Sequence, residues 1–196
     1  ASERFSIPLS YFCGNGSSLS PAEANRHIDE IIASSEIDLV IETIGGKSDF
    51  VHDLCLRVIN SGKHLVTANK ALLAERGKDI FEAAEKMNVK IGFEAAVCGS
   101  IPIIKTIKES FTGDKVLSVS GIMNGTSNYI LTQMQGEKLE FDQALKLAQQ
   151  NGYAEADPSL DINGGDARHK LLLLIKLAFG IDVEKDELPV IGIENI

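Results

Sequence analysis

Between Gly152 and Lys170 the chain reads GYAEADPSLDINGGDARHK, a stretch that concentrates side chains able to hold a polar molecule and move a proton. Glu155, Asp157 and Asp161 fall in a segment punctuated by Pro158, Gly164 and Gly165. Asp166 and Lys170 then open a helix at an i,i+4 spacing, which puts an acid and an amine on one helical face. A pair of this kind standing alone is ordinarily a surface ion pair of little energetic weight. Here it is followed by Leu171, Leu172, Leu173, Leu174, Ile175 and Leu177, apolar nearly all round. The helix is therefore expected to be buried, with Lys170 at its mouth. A charged loop leading onto such a pair suits the binding of a small polar substrate and the exchange of a proton with it. His169 neighbours Lys170 in sequence but points about 100° away on a helix, and His64 lies in an apolar strand, so neither is assigned to catalysis.

The elements that must position these residues alternate at first. Ser20, Pro21 and Glu23 have the form of a helix start, and the apolar positions continue through Ile28, Ile31 and Ile32. IDLVIET (37–43) is a short β-branched run of the kind found in buried parallel strands. Gly45-Gly46 turns the chain, and Ser48 can cap a helix whose apolar stripe runs Val51, Leu54, Cys55, Val58, Ile59. Gly62 ends that helix, HLVT (64–67) is the next strand, and a further helix ends near Asn88. VKIGFE (89–94) is the third strand. Strand, helix, strand, helix, strand is the pattern of a doubly wound α/β sheet.

From about Ala95 the rhythm changes. IPIIKTIKESF (101–111) reads as an amphipathic helix, KVLSVSGIM (115–123) as a half-exposed strand, and Asn124 to Ser127 as a turn that caps the next helix. Helices are expected over roughly 140–150 and 165–179 by their apolar spacing. The closing PVIGIENI reads as a strand or loop. The division is thus into residues 1–94, an incomplete Rossmann-like parallel sheet, and residues 95–196, an α+β domain.

Composition narrows the function. The 196 residues carry a formal charge of −9 with pI near 4.9, which argues against nucleic acid as a partner. No apolar run is long enough for a membrane span, and ASERFSIPLS lacks the zones of a signal peptide. Cys13, Cys55 and Cys98 are too scattered for a disulfide framework or a zinc site. A cytoplasmic protein is the expectation, with Cys55 in the core.

Four segments then carry a resemblance: VTANKALLA (66–74), FEAAVCGSIPII (93–104), GIMNGTSNYIL (121–131) and GYAEADPSLDINGGDARHK (152–170). In this order and spacing they resemble homoserine dehydrogenase, over roughly residues 36 to 196. The resemblance implies the reversible interconversion of L-homoserine and L-aspartate 4-semialdehyde with NAD or NADP, on the pathway to threonine, methionine and isoleucine. Carried over residue by residue, it makes Lys170 the catalytic lysine that exchanges the hydroxyl proton. Glu155 and Asp166 become the carboxylates that hold homoserine. Tyr153 and Gly152 fall at the junction of substrate and nicotinamide, Gly125 and Thr126 where the family closes over the substrate. Lys70 matches a lysine near cofactor and reacting carbons, and Gly45 is placed on the cofactor side. Glu94, with the carbonyls of Val97, Gly99 and Ile101, matches a monovalent cation site for sodium or potassium; without it, Glu94 simply caps the next element.

The pattern also departs from the family. A strand, Gly-x-Gly-x-x-Gly and helix should open a dinucleotide-binding sheet, and CGNGSS (13–18) does not fit that form. The chain is accordingly expected to represent the central part of such an enzyme and, alone, to bind dinucleotide poorly. Homodimerisation through KVLSVSGIM is a further implication of the resemblance. Aspartate-semialdehyde dehydrogenase and dihydrodipicolinate reductase are weaker matches; the former needs a cysteine beside a histidine, and Cys98 has no such partner motif. The remaining alternative is a non-catalytic ligand-binding or assembly domain descended from the enzyme.

Overall fold

A computed structural model of the chain describes residues 21–194 and 196, with side chains from residue 25 onward. Ser20, Cys13 and the CGNGSS segment lie outside the described residues. The chain divides into two compact units.

The first unit contains the described residues up to Thr67 together with Asp79–Gly92. Its three strands, β1 (Leu39–Glu42), β2 (His64–Thr67) and β3 (Ile91–Gly92), form one parallel sheet in the order β1-β2-β3. Leu39 stands opposite His64 and Glu42 opposite Thr67, while Leu65 and Val66 face Ile91 and Gly92. The three expected strands are all present, although the third is only two residues long. Helix α1 (Pro21–Ala33) precedes β1, and α2 (Asp49–Asn60) connects β1 to β2. Ser48 starts α2 as expected, its hydroxyl accepting the Val51 N–H at 3.4 Å. Gly62, at φ +82°, turns the chain after the helix, a conformation that suits glycine. The apolar stripe Val51, Leu54, Cys55, Val58 and Ile59 is buried, as is Leu65 of β2. Each such side chain contributes about 1.5–3 kcal/mol on burial. Burial, helped by Glu42, pushes the Cys55 thiol up to about 12.

The second unit contains Ala68–Lys78 and the described residues from Phe93 onward. Helix α3 (Lys70–Met87) breaks its regular geometry at Arg76 (φ −137°), and its segment through Lys78 belongs here. The helix expected over 101–111 is present in altered form. One α-helical turn, α4 (Ile103–Lys105), passes into a π-helical turn at Thr106–Ser110. Helices α5 (Gly125–Glu137), α6 (Phe141–Gln150), α7 (Ser159–Ile162) and α8 (Gly165–Phe179) follow. Ile130, Ala144, Ala148, Ala154, Ile162 and Ile193 form one buried cluster, bordered by Tyr129, Met134 and Leu145. The small residues on α6 let α5 approach it closely.

One expectation for this unit needs correction. KVLSVSGIM forms no strand: among the described residues no other strand pairs with it, and Leu117 and Ile122 are 83% and 74% exposed. Alternation is necessary for a half-buried strand, but the strand exists only when a neighbour takes its N–H and C=O groups. The closing segment, expected as a strand or loop, is a loop over 189–194. Its backbone is instead docked by the Ile193 N–H, which donates to the Ile162 carbonyl at 2.8 Å. Among the described residues no helix is long and apolar enough to cross a membrane.

Candidate active site

Helix α8 begins at Gly164, whose φ of +80° a side-chain-bearing residue adopts only with strain. That start places Asp166 in the first turn and Lys170 one turn later. Asp166 is 7% exposed, and the whole face carrying it, His169, Leu172 and Leu173 is buried. The acid–amine pair expected from its spacing forms: Lys170 Nζ lies 2.7 Å from Asp166 Oδ2. Lys170 also donates to the Met123 carbonyl at 2.6 Å. Lys70, at the start of α3, reaches the other oxygen, with Nζ 2.9 Å from Asp166 Oδ1. Two lysines more than ninety residues apart in the chain thus converge on one buried carboxylate.

Asn124 completes the arrangement. It is the N-cap of α5, its Oδ1 accepting the Ser127 N–H at 2.7 Å. Its Nδ2 donates to Asp161 Oδ1 at 2.7 Å and to Asp166 Oδ2 at 2.8 Å. Burial alone raises the Asp166 carboxyl, but the hydrogen bonds from Lys170, Asn124 and Lys70 outweigh it and hold the group below the usual carboxylate range.

The loop before α8 is built around a second set of contacts. Gly152 turns it at φ +75°. Tyr153 stacks on Tyr129 with ring centroids 4.3 Å apart and planes 19° apart. The Thr126 hydroxyl donates to the Tyr153 carbonyl at 2.6 Å, tying the first turn of α5, with Gly125, to this loop. Glu155 is exposed, and no hydrogen bond or ion pair joins its carboxylate to Asp166 or Lys170; its carbonyl accepts from Gln149 Nε2 at 3.3 Å. Asp157 is also exposed, and the Ser159 hydroxyl and amide hold its carboxyl low while shaping the turn.

Glu94 does what a helix cap does. Its two oxygens accept the N–H groups of Ile104 and Lys105 at 3.0 and 2.9 Å. Between them the backbone passes through left-handed positions at Cys98 and Ser100, φ 50° and 68°. Val97 is buried, Gly99 and Ile101 are exposed, and the Ile101 carbonyl accepts the Ile103 N–H at 2.8 Å. Among the described residues no cluster of three or more His, Cys, Asp or Glu side chains could hold a metal. Gly45 lies in the first unit, in the turn after β1, where its N–H donates to the buried carboxylate of Glu42 at 2.8 Å. The Thr67 hydroxyl holds the other Glu42 oxygen at 2.5 Å.

The structure therefore brings together Lys70, Asp166 and Lys170, and separately Gly125, Thr126, Gly152 and Tyr153. His169 turns away from Lys170, as its helical angle required, and meets Glu75 of α3 at 3.0 Å. What sequence reasoning missed is the bridging role of Asn124 and the inclusion of Asp161. The cap signal at Asn124 was visible; the partners of its amide, 37 and 42 residues away, were not.

Comparison with known proteins gives the family of the chain. Two family models match, described as homoserine dehydrogenase, NAD binding domain, over residues 13–94 and homoserine dehydrogenase over residues 102–196. The first begins well upstream of residue 36, where the resemblance in the sequence had been placed. A homoserine dehydrogenase of Neisseria gonorrhoeae is 50% identical over 151 residues, covering 77% of this chain and 34% of the relative. One of Helicobacter pylori is 46% identical over 176 residues, covering 90% of this chain and 41% of the relative. The crystal structure of a homoserine dehydrogenase from Thiobacillus denitrificans superposes with a TM-score of 0.80 at 46% identity, over 86% of this chain and 38% of that one. A hyperthermophilic archaeal homoserine dehydrogenase solved with NADPH gives a TM-score of 0.74 at 26% identity, over 86% of this chain and 51% of that one. These matches define a class, the NAD(P)-dependent oxidoreductases. Within it, the chain belongs to the homoserine dehydrogenase family. It spans about a third to two fifths of the length of the curated relatives named here.

Proposed function

We propose that this chain carries the substrate-handling machinery for interconverting L-homoserine and L-aspartate 4-semialdehyde. The observation that carries the reading is the convergence of Lys70 and Lys170 on the buried Asp166. The proposed division of labour is nucleotide side before residue 95 and substrate side from there on, with the segment Ala68–Lys78, which carries Lys70, grouped with the substrate side. The relatives named above are all homoserine dehydrogenases, which does not favour the non-catalytic alternative.

When bound, NAD or NADP supplies or accepts the hydride at the carbon that is alcohol in one substrate and aldehyde in the other. The first unit fits such a group. Gly45 and Gly46 hold φ of +77° and +76° just past the C-terminal end of β1, and nothing lies within 4 Å of where a side chain on either would start. Ligands of parallel sheets bind at that end, where bare backbone can approach them. The family resemblance assigns Gly45 of the first unit, and Lys70 and Gly152 of the second, to the cofactor. Lys170 handles the proton. As the aldehyde is reduced, negative charge grows on its oxygen; the ammonium stabilises that charge and then gives up a proton to it. In the reverse direction the amine takes the hydroxyl proton. Asp166 keeps Lys170 aimed, and Glu155 with Asp166 would bind the ammonium and hydroxyl groups of homoserine. Tyr153, Gly125 and Thr126 enclose the substrate, held together by the Thr126 to Tyr153 hydrogen bond.

A monovalent cation, sodium or potassium, is the finer part of the proposal. Glu94 with the carbonyls of Val97, Gly99 and Ile101 is an all-oxygen set suited to a hard cation. Each Glu94 oxygen accepts only one amide hydrogen, which leaves lone pairs for an ion. Homodimerisation through 115–123, where Leu117 and Ile122 are exposed, and a cytoplasmic location complete the reading. The test is homoserine-dependent reduction of NAD and NADP by the protein carrying this chain. Lys170→Ala is expected to lower turnover at least ~10²-fold while the circular dichroism stays that of the parent. Near-parental turnover in a folded variant would remove the assignment.

A further inference from the structure

We infer that Asn124 is a positioning residue, whose carboxamide is locked by the first turn of α5 and bridges Asp161 to Asp166, fixing the carboxylate that aims Lys170. The orientation of the amide is settled by its partners. Oδ1 accepts the Ser127 N–H at 2.7 Å, so the nitrogen faces the two carboxylates. Both of its hydrogens are then used, at 2.7 Å to Asp161 and 2.8 Å to Asp166. A flipped amide would set its oxygen against two carboxylate oxygens and its nitrogen against a backbone N–H. Asn124 is 9% exposed, so water cannot easily take over these bonds. The Ser127 hydroxyl adds a third tie, donating to the Asp161 carbonyl at 2.7 Å.

The charges around Asp166 explain why a bridge is needed there. Lys70 approaches one oxygen from α3 and Lys170 the other from α8, while Asp161 stands on the far side of the amide. Neither lysine alone fixes the plane of the carboxyl group, because an ammonium is a point donor that makes no planar two-point match with a carboxylate. The planar amide, itself fixed by a helix cap, does. Two charge-assisted bonds from one group also keep two carboxylates side by side that would otherwise repel each other. The bridge itself stands without any assumed reaction; only the proton transfer it serves rests on the dehydrogenase reading.

Two variants separate bridging from capping. Asn124→Asp keeps shape and cap acceptor but replaces the shared donor with a third carboxylate. Asn124→Ser keeps a good cap acceptor, yet its single hydroxyl hydrogen cannot serve two carboxylates. The Asp166 side chain is titrated by carboxyl carbon NMR in both variants and in the parent chain. In Asn124→Asp the Asp166 pKa is expected to rise by about 1 pH unit or more, and in Asn124→Ser by less. Asp166 titrating as in the parent in both variants, or in Asn124→Ser alone should the other not fold, overturns the inference. In the protein carrying the chain, kcat is expected to fall ~10-fold in Asn124→Asp with its acid limb moved to higher pH. If the Asp166 titration moves but Lys170→Ala leaves turnover intact, the bridge stands and the dehydrogenase reading falls.

Discussion

Replacing Asp166 with asparagine is the most searching perturbation of this structure, because the shape is kept and only the charge is lost. Three donors meet the carboxylate, from Lys170 at 2.7 Å, Asn124 at 2.8 Å and Lys70 at 2.9 Å. An asparagine offers one acceptor oxygen, and its amide hydrogens point at groups that are themselves donors. Removing one partner of a buried ion pair typically costs about 3–5 kcal/mol. The lower part of that range applies here, since Lys170 keeps the Met123 carbonyl and the Lys70 side chain is 35% exposed. We therefore expect a loss of about 3–4 kcal/mol, which for a chain of this size lowers Tm by roughly 6–16 °C.

The sign of its pH dependence is fixed by the depressed Asp166 carboxyl. A carboxyl held below its ordinary value of 3.8 stabilises the fold above that value and loses its contribution as pH falls through the lowered value. The gap in Tm between parent and Asp166→Asn should be widest at neutral pH and shrink once the pH drops below about 4. Thermal unfolding followed by circular dichroism across that range is the assay. A gap that stays constant down to strongly acid pH, or no gap at neutrality, would refute the electrostatic account of this cluster.

Further expectations concern the cysteines, the cap and the core. With its thiol pushed up to about 12, Cys55 should resist alkylation in the native chain near neutral pH while the partly exposed Cys98 reacts; peptide mass spectrometry reads the difference. Equal labelling of the two would show that the helix α2 face is open. The raised thiol stabilises the fold below its ordinary value of 9.0, and that contribution is lost as pH rises from there toward 12. Glu94→Ala should free the amides of Ile104 and Lys105, speeding their hydrogen exchange and costing about 0.5–2 kcal/mol locally. Ile130→Ala, at a fully buried position of the α5–α6 cluster, should cost about 2–5 kcal/mol by urea unfolding.

Local chemistry was legible in the chain wherever it acts over short sequence distances. The Asp166–Lys170 pair, the Ser48 and Asn124 caps, the buried Cys55 stripe and the strand HLVT all follow from i,i+4 geometry, capping or β-branched runs. KVLSVSGIM was misread because alternation reports which face is apolar, not whether a neighbouring strand exists. The π-helical turn at Thr106–Ser110 was invisible for a different reason: nothing in TIKES distinguishes it from an ordinary amphipathic turn. Lys70 was joined to Asp166 only through family resemblance, since no periodicity links positions 96 residues apart. The Asn124 bridge needed coordinates, because a cap residue shows its acceptor in the sequence and hides where its amide hydrogens go.

The hold on Lys170 has a geometric corollary. An ammonium is a tripod of three hydrogens, and two of its legs are planted, one on Asp166 and one on the Met123 carbonyl. With two legs planted the nitrogen cannot spin, and the third hydrogen has a single bearing. Whatever acceptor takes a hydrogen bond from it must lie along that bearing. An arginine here would be a flat fork whose hydrogens all lie in one plane. That bearing is set by one helical turn and one backbone carbonyl.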